Sequence, residues 1–150
     1  MSIQVSVIGD AAAEPGLVET AYEVGRRTAE RGWVVITGGL GGVMEAASRG
    51  AKEAGGTTVG ILPTYDAAAA NEYVEIIIPT GLGHARNALV VAAAAGVIAV
   101  GGRYGTLSEI ALALKLGKPV VGINTWPGIE GVWPAPDAKR AISKLASLLE

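Results

Sequence analysis

The 150-residue chain contains no cysteine. Disulfides, thiolate catalysis, iron–sulfur clusters and cysteine-ligated zinc are thereby excluded. Its one histidine, His84, excludes a multi-histidine metal site, and no metal is expected. Phenylalanine is absent, and aromatic residues make up only 5%. Charged residues are sparse at 17%, the net charge is −2, and no long basic run occurs. That balance argues against nucleic acid or an anionic membrane as a partner. No apolar stretch reaches the roughly 18–20 residues of a membrane span. The best candidate, residues 88–100, is too short and ends at glycines. No secretory leader pattern precedes the first strand pattern at residues 3–8, so a cytoplasmic location is the expectation.

What is present is a chain half apolar, rich in alanine, with 22 glycines. At this length a single domain spanning 1–150 is expected, large enough to bury a core. Short β-branched runs recur at residues 5–8, 33–37, 57–62, 75–78, 96–100 and 119–123. Between most of them lie helical patterns, at 17–31, 43–54, 86–95 and from about 107 onward. Asp137 is placed to cap a last helix running to about Leu149. The 43–54 segment carries Ala46, Ala47, Gly50 and Ala51 on one face, which predicts close packing on the sheet. Alternating strands and helices with near-continuous apolar strands predict an α/β fold. It should be Rossmann-like and doubly wound, a mainly parallel sheet with helices on both faces. Two segments break the alternation. Residues 64–73 read as a short helix or a flap, and residues 125–136 as an irregular loop whose Trp126 and Trp133 suit a subunit contact.

Two glycine-rich turns carry the chemistry. Gly38-Gly39-Leu40-Gly41-Gly42-Val43-Met44 follows one strand pattern, and Gly101-Gly102-Arg103-Tyr104-Gly105-Thr106 follows another. A strand, a turn poor in side chains and then a helix N-terminus leave backbone N–H groups free beside the positive end of a helix dipole. That arrangement suits a phosphate. Ligands of parallel α/β sheets bind outside the carboxyl ends of the strands, where both turns and Gly9-Asp10 fall. The first turn is neither a Walker A loop, since it lacks Gly-Lys-Ser/Thr, nor a dinucleotide fingerprint. A purely structural reading, a tight strand–helix turn, stays open for both.

Thr106-Leu107-Ser108-Glu109 fits a capping box, which would occupy the Glu109 carboxylate with the Thr106 N–H. Alternatively, Glu109 accepts hydrogen bonds from a ligand or positions a water. Arg86 and Asn87 are the polar groups before a very apolar segment. A cation opening a helix opposes the dipole, so a ligand phosphate or Glu109 should compensate it. Arg103 and Tyr104 either clamp a ligand or point to solvent, and His84 is a proton donor or plain loop polarity.

Gly38-Gly39-x-x-Gly42-x-Met44, Arg86 and Gly101-Gly102-x-Tyr104-Gly105-Thr106-x-x-Glu109 resemble the lonely-guy (LOG) superfamily, often labelled "possible lysine decarboxylase". The resemblance covers nearly the whole chain. It implies phosphoribohydrolases that split nucleoside 5′-monophosphates into free base and ribose 5-phosphate without a cofactor. It also implies homo-oligomers, dimers or tetramers, and Arg86 and Glu109 as the catalytic pair of the enzymes. The chain departs from those enzymes in having Gly101-Gly102-Arg103 for Pro-Gly-Gly and Asn87 for lysine. In these features, in the segment 81–87 and in the helix from Glu109 to Lys115, it is similar to the molybdenum cofactor carrier branch. That similarity implies a binding protein with molybdenum cofactor or a nucleotide as cargo. Gly38, Gly39, Gly41, Gly42, Met44, Arg86, Asn87, Gly101, Gly102, Arg103, Tyr104, Gly105, Thr106 and Glu109 would then hold the phosphorylated ligand. A non-catalytic assembly or regulatory protein is the third reading. Lysine decarboxylation is set aside, because it needs pyridoxal phosphate on a lysine and every lysine lies away from the glycine turns.

Overall fold

The computed structural model describes residues 2–150. Seven strands form one sheet: β1 (Gln4–Gly9), β2 (Val34–Thr37), β3 (Thr58–Leu62), β4 (Ile76–Pro79), β5 (Gly96–Val100), β6 (Val120–Ile123) and β7 (Val132–Pro134). Five helices connect or follow them: α1 (Pro15–Glu30), α2 (Val43–Glu53), α3 (Arg86–Ala92), α4 (Tyr104–Lys115) and α5 (Ala138–Leu149). The strand order is β4-β3-β2-β1-β5-β6-β7, and every pairing is parallel. The chain winds outward from β1 in one direction and from β5 in the other. The β1/β5 junction is therefore the topological switch point of a Rossmann-like, doubly wound sheet.

Strand residues alternate between two cores, which is why the strands read as unbroken apolar runs. Val5, Val7, Val35, Ile98 and Val121 pack on one face with α1, α2 and α5. Ile8, Ile36, Val97, Ala99 and Val120 pack on the other with α3 and α4. Among the described residues, no helix is long and apolar enough to cross a membrane. Asp137 caps α5, accepting from the Arg140 N–H at 2.8 Å.

Two local expectations need correction. Residues 125–136 contain a strand, β7, whose Val132-Trp133-Pro134 run is too short and too proline-marked to signal one; proline is tolerated because β7 is the sheet edge. The third helix stops at Ala92 rather than continuing through the alanines to 95, because Ala95 N–H turns to the Gln4 carbonyl to start β5. The segment 64–73 holds only a 3₁₀ turn, Ala67–Ala69. Trp126 packs on the Tyr104 ring, and Trp133 is about half exposed beneath the Lys144 ammonium.

The small-residue face of α2 serves a neighbouring helix as well as the sheet. A β-carbon on Gly25 would lie 1.9 Å from the Ala47 carbonyl oxygen, and one on Gly50 would lie 2.1 Å from the Tyr22 oxygen. The backbones of α1 and α2 thus touch directly. Gly25→Ala must push them apart, and overpacking of this kind costs about 3 kcal/mol. A thermal melt should show Tm lowered by about 6–12 °C; a shift below about 2 °C would mean the helix pair yields easily.

Candidate functional site

The site is built where β1 and β5 part company. Gly9 closes β1, and a β-carbon there would meet Val43 at 2.6 Å and the Val100 carbonyl at 2.7 Å. Glycine lets the N-terminus of α2 come down onto the strand end. The Asp10 carbonyl then accepts the Val43 N–H at 3.0 Å. Gly42, at φ 59°, passes so close that a β-carbon would sit 2.2 Å from that same carbonyl. The turn into α2 is thereby clamped onto the loop after β1.

On the other side, Gly101 (φ 58°) and Gly102 (φ 103°) take the chain from β5 into α4 within three residues. The two positive φ angles start the helix at Tyr104, earlier than the sequence pattern implies. Arg103 is the N-cap residue and Thr106 already lies inside the first turn. The capping box at Thr106–Glu109 therefore does not form. No side chain caps either α2 or α4. The first N–H groups of both helices, Gly105 and Thr106 among them, have no intrahelical acceptor.

Between these helix ends lies a cavity of about 390 Å³, within the size range of small-molecule sites. Its walls come from the ends of β1 (Val7 to Asp10) and β2 (Gly38), from Leu40, Met44 and Pro63, and from the 3₁₀ turn Gly83–Ala85. Arg86 and Asn87 of α3 and Gly105, Thr106 and Glu109 of α4 complete it.

Arg86 is buried, and its position is fixed by carbonyls at the ends of the strands. Nε donates to the Ile61 oxygen at 2.8 Å, Nη2 to the Gly38 oxygen at 3.3 Å, and Nη1 to Asn87 Oδ1. A β-carbon at Gly38 would lie 2.5 Å from Nη2, so glycine makes room for the guanidinium. Asn87 Nδ2 donates to Ser108 Oγ at 3.3 Å, and that hydroxyl donates to the Gly105 carbonyl at 2.7 Å. This chain ties Arg86 to the N-terminus of α4. The compensation expected for a cation opening a helix thus comes from strand-end carbonyls, with no ion pair to Glu109 among the described residues. Burial lowers the Arg86 pKa, and the negative field of Glu109 partly opposes this.

Glu109 is 7% exposed, faces the cavity, and has no hydrogen-bond partner among the described residues. Burial pushes its carboxyl up to about 7, against the pull of the Arg86 charge. No protein donor reaches the carboxylate, whose oxygens open onto the cavity, so a strongly shifted titratable group sits where a ligand can meet it.

Gly38, Met44, Arg86, Asn87, Gly105, Thr106 and Glu109 are therefore brought together around one space. Gly39, Gly41, Gly42, Gly101, Gly102, Arg103 and Tyr104 lie outside its lining. Among these, Gly39, Gly42, Gly101 and Gly102 answer to backbone geometry and close packing. Arg103 is 78% exposed and pairs with Asp10 at 2.8 Å, and Tyr104 is 79% exposed beside Trp126. Asp10, Leu40 and Pro63 line the cavity as well, beyond the residues expected to hold the ligand. Asp10 is signalled by its place at the end of the switch-point strand and Leu40 by its place in the first glycine-rich turn, while Pro63 carries no signal.

A family model described as the SLOG cluster4 family matches residues 2–146. The molybdenum cofactor binding protein of Rippkaea orientalis is similar in structure, with a TM-score of 0.95 and 39% identity over 100% of this chain and 99% of that one. The molybdenum cofactor carrier protein of Chlamydomonas reinhardtii has a TM-score of 0.89 and 38% identity over 99% of each chain. A cytokinin riboside 5′-monophosphate phosphoribohydrolase of Mycobacterium tuberculosis is 32% identical over 88% of this chain and 80% of its own length.

Proposed function

The chain belongs to the SLOG cluster4 family, and from that premise we propose that it is a carrier-type binding protein for a phosphorylated small molecule. Molybdenum cofactor or a nucleoside monophosphate is the cargo. The observation that carries this reading is the convergence of the N-terminus of α4, which no side chain caps, and the buried Arg86 on one cavity at the switch point. Free amides at a helix start and an arginine are the donors that a phosphate monoester requires. The similarity to two molybdenum cofactor proteins over essentially their whole length supports a carrier over other uses of such a cavity. In this reading the amides of Gly105 and Thr106 and the Arg86 guanidinium hold the phosphate. Met44 and Leu40 cover the less polar part of the ligand, and Glu109 hydrogen-bonds to the ligand from α4. We further propose a cytoplasmic homo-oligomer, dimer or tetramer.

A second reading is favoured by one feature, the unpartnered Glu109 beside Arg86 in a chain related to a phosphoribohydrolase. Cleavage of an N-glycosidic bond passes through a cationic sugar, which a carboxylate stabilises while orienting water. Water adds to the sugar carbon as the bond to the base breaks, and the base departs with a proton. Incubation with a panel of nucleoside monophosphates, followed by chromatography, separates the two. A carrier should release no free base, while a ligand at about 100 times its Kd stabilises the fold by about 2.7 kcal/mol. Mass spectrometry of the purified protein should find a phosphorylated species bound. Free base that disappears in Glu109→Gln would establish the hydrolase instead.

A further inference from the structure

The charges around the cavity cancel in two pairs. Asp10, from the loop after β1, is bound to Arg103 at the start of α4. Arg86 on α3 and Glu109 on α4 face the same space without bonding to each other. His84, in the 3₁₀ turn before α3, is the remaining titratable group of the lining. The walls from β2, the loop after β3 and α2 bring Gly38, Leu40, Pro63 and Met44, all uncharged. An oxyanion that enters therefore meets no net charge while Glu109 is ionised, and a net positive site once it is not.

Arg86 cannot resolve this by moving. Three of its five N–H donors are held by Ile61, Gly38 and Asn87. Glu109 is buried and has no protein donor to stabilise its charge. An ionised carboxylate facing a bound oxyanion brings two sets of acceptors together with no hydrogen between them. A protonated carboxyl supplies that hydrogen.

We propose, building on the anion-binding reading above, that the cavity takes an oxyanion together with one proton, carried on the Glu109 carboxyl, which donates a hydrogen bond to the bound anion. The proton comes from solvent on loading and returns to it on release, so no other reactant is needed. Burial already holds Glu109 at about 7, which keeps this protonation accessible near neutrality. Glu109 thereby sets when the site loads: mild acid favours the bound state and mild base favours release.

Sulfate is the probe of choice, because it stays doubly charged across the neutral range and adds no titration of its own. Titration calorimetry from about pH 6 to about pH 9 should show affinity falling about ten-fold per pH unit above about 7. Parallel titrations in buffers of different ionisation enthalpy should count close to one proton taken up at the alkaline end. Glu109→Gln should bind with a flat profile, whereas His84→Asn should keep the slope. A flat wild-type profile with no proton uptake, or a slope that survives in Glu109→Gln, overturns the coupling and leaves the anion site standing. Absence of sulfate binding at every pH overturns the anion site, and this inference with it.

Discussion

Arg86→Ala is expected to lower affinity for phosphate esters by about 100-fold, the scale of removing one member of a buried charge-assisted contact. The same substitution deprives the Ile61 and Gly38 carbonyls of their donor. Both carbonyls would then face an enlarged cavity that water can enter. The cost to the ligand-free fold is accordingly at the lower end for a lost buried hydrogen bond, about 1–2 kcal/mol. Binding thus suffers more than stability, and the two are separable by comparing calorimetric Kd with ligand-free urea unfolding. Arg86→Lys keeps the charge but not the planar fork that spans two strand ends, so an intermediate loss of about ten-fold follows. Removing Arg86 also strips Glu109 of the cation that lowers its pKa. The double variant Arg86→Ala/Glu109→Gln should be more stable than Arg86→Ala alone at neutral pH, a coupling that a double-mutant cycle reads directly. Phosphate-ester affinity of Arg86→Ala within a few-fold of wild type would remove Arg86 from the site.

Legibility in the sequence followed the physics of each element. The parallel sheet is readable because strands buried on both faces leave an unbroken apolar run, as at Val97–Val100. The turn after β2 is readable because a glycine run before a helix marks a tight strand–helix turn, and Arg86 stands out because an isolated charge beside an apolar segment needs compensation, though strand-end carbonyls rather than Glu109 supply it. The course of the second turn is not. Gly101 and Gly102 both adopt positive φ, which swings Arg103 and Tyr104 outward and starts α4 at Tyr104. The Thr106–Glu109 capping signature is local chemistry, and a tertiary arrangement of two glycines overrides it. The hydrogen-bond partners of Arg86 are also out of reach, because backbone carbonyls at the ends of β2 and β3 leave no trace in residue identities. Strand β7 is hidden for a related reason: with three residues and a proline, pairing to β6 rather than propensity creates it.

Stability should fall as pH rises from about 4.5 to about 7, the reverse of the usual behaviour of a carboxylate. Glu109 ordinarily titrates at 4.5, and burial raises it to about 7 in the fold. Within that window the folded chain binds more protons than the unfolded one, so each increment of pH favours unfolding. Below about 4.5 both states are protonated and the effect is absent; above about 7 the full cost of ionising Glu109 in the fold is present. The difference corresponds to about 3 kcal/mol, large against a typical domain stability of about 5–15 kcal/mol. Other shifted carboxylates act elsewhere. Glu23, bonded to Arg26, and Asp137, bonded to Arg140, are lowered, so their support is lost only as pH falls below the ordinary carboxylate range. Glu109→Gln keeps the shape and removes the charge. It should raise ligand-free stability at about pH 8 by up to about 3 kcal/mol and erase the slope between about 4.5 and 7. Urea unfolding of both proteins across that range is the measurement. Equal stability at alkaline pH would mean that the Arg86 field already offsets the burial of Glu109, leaving the carboxylate at ease in its ionised form.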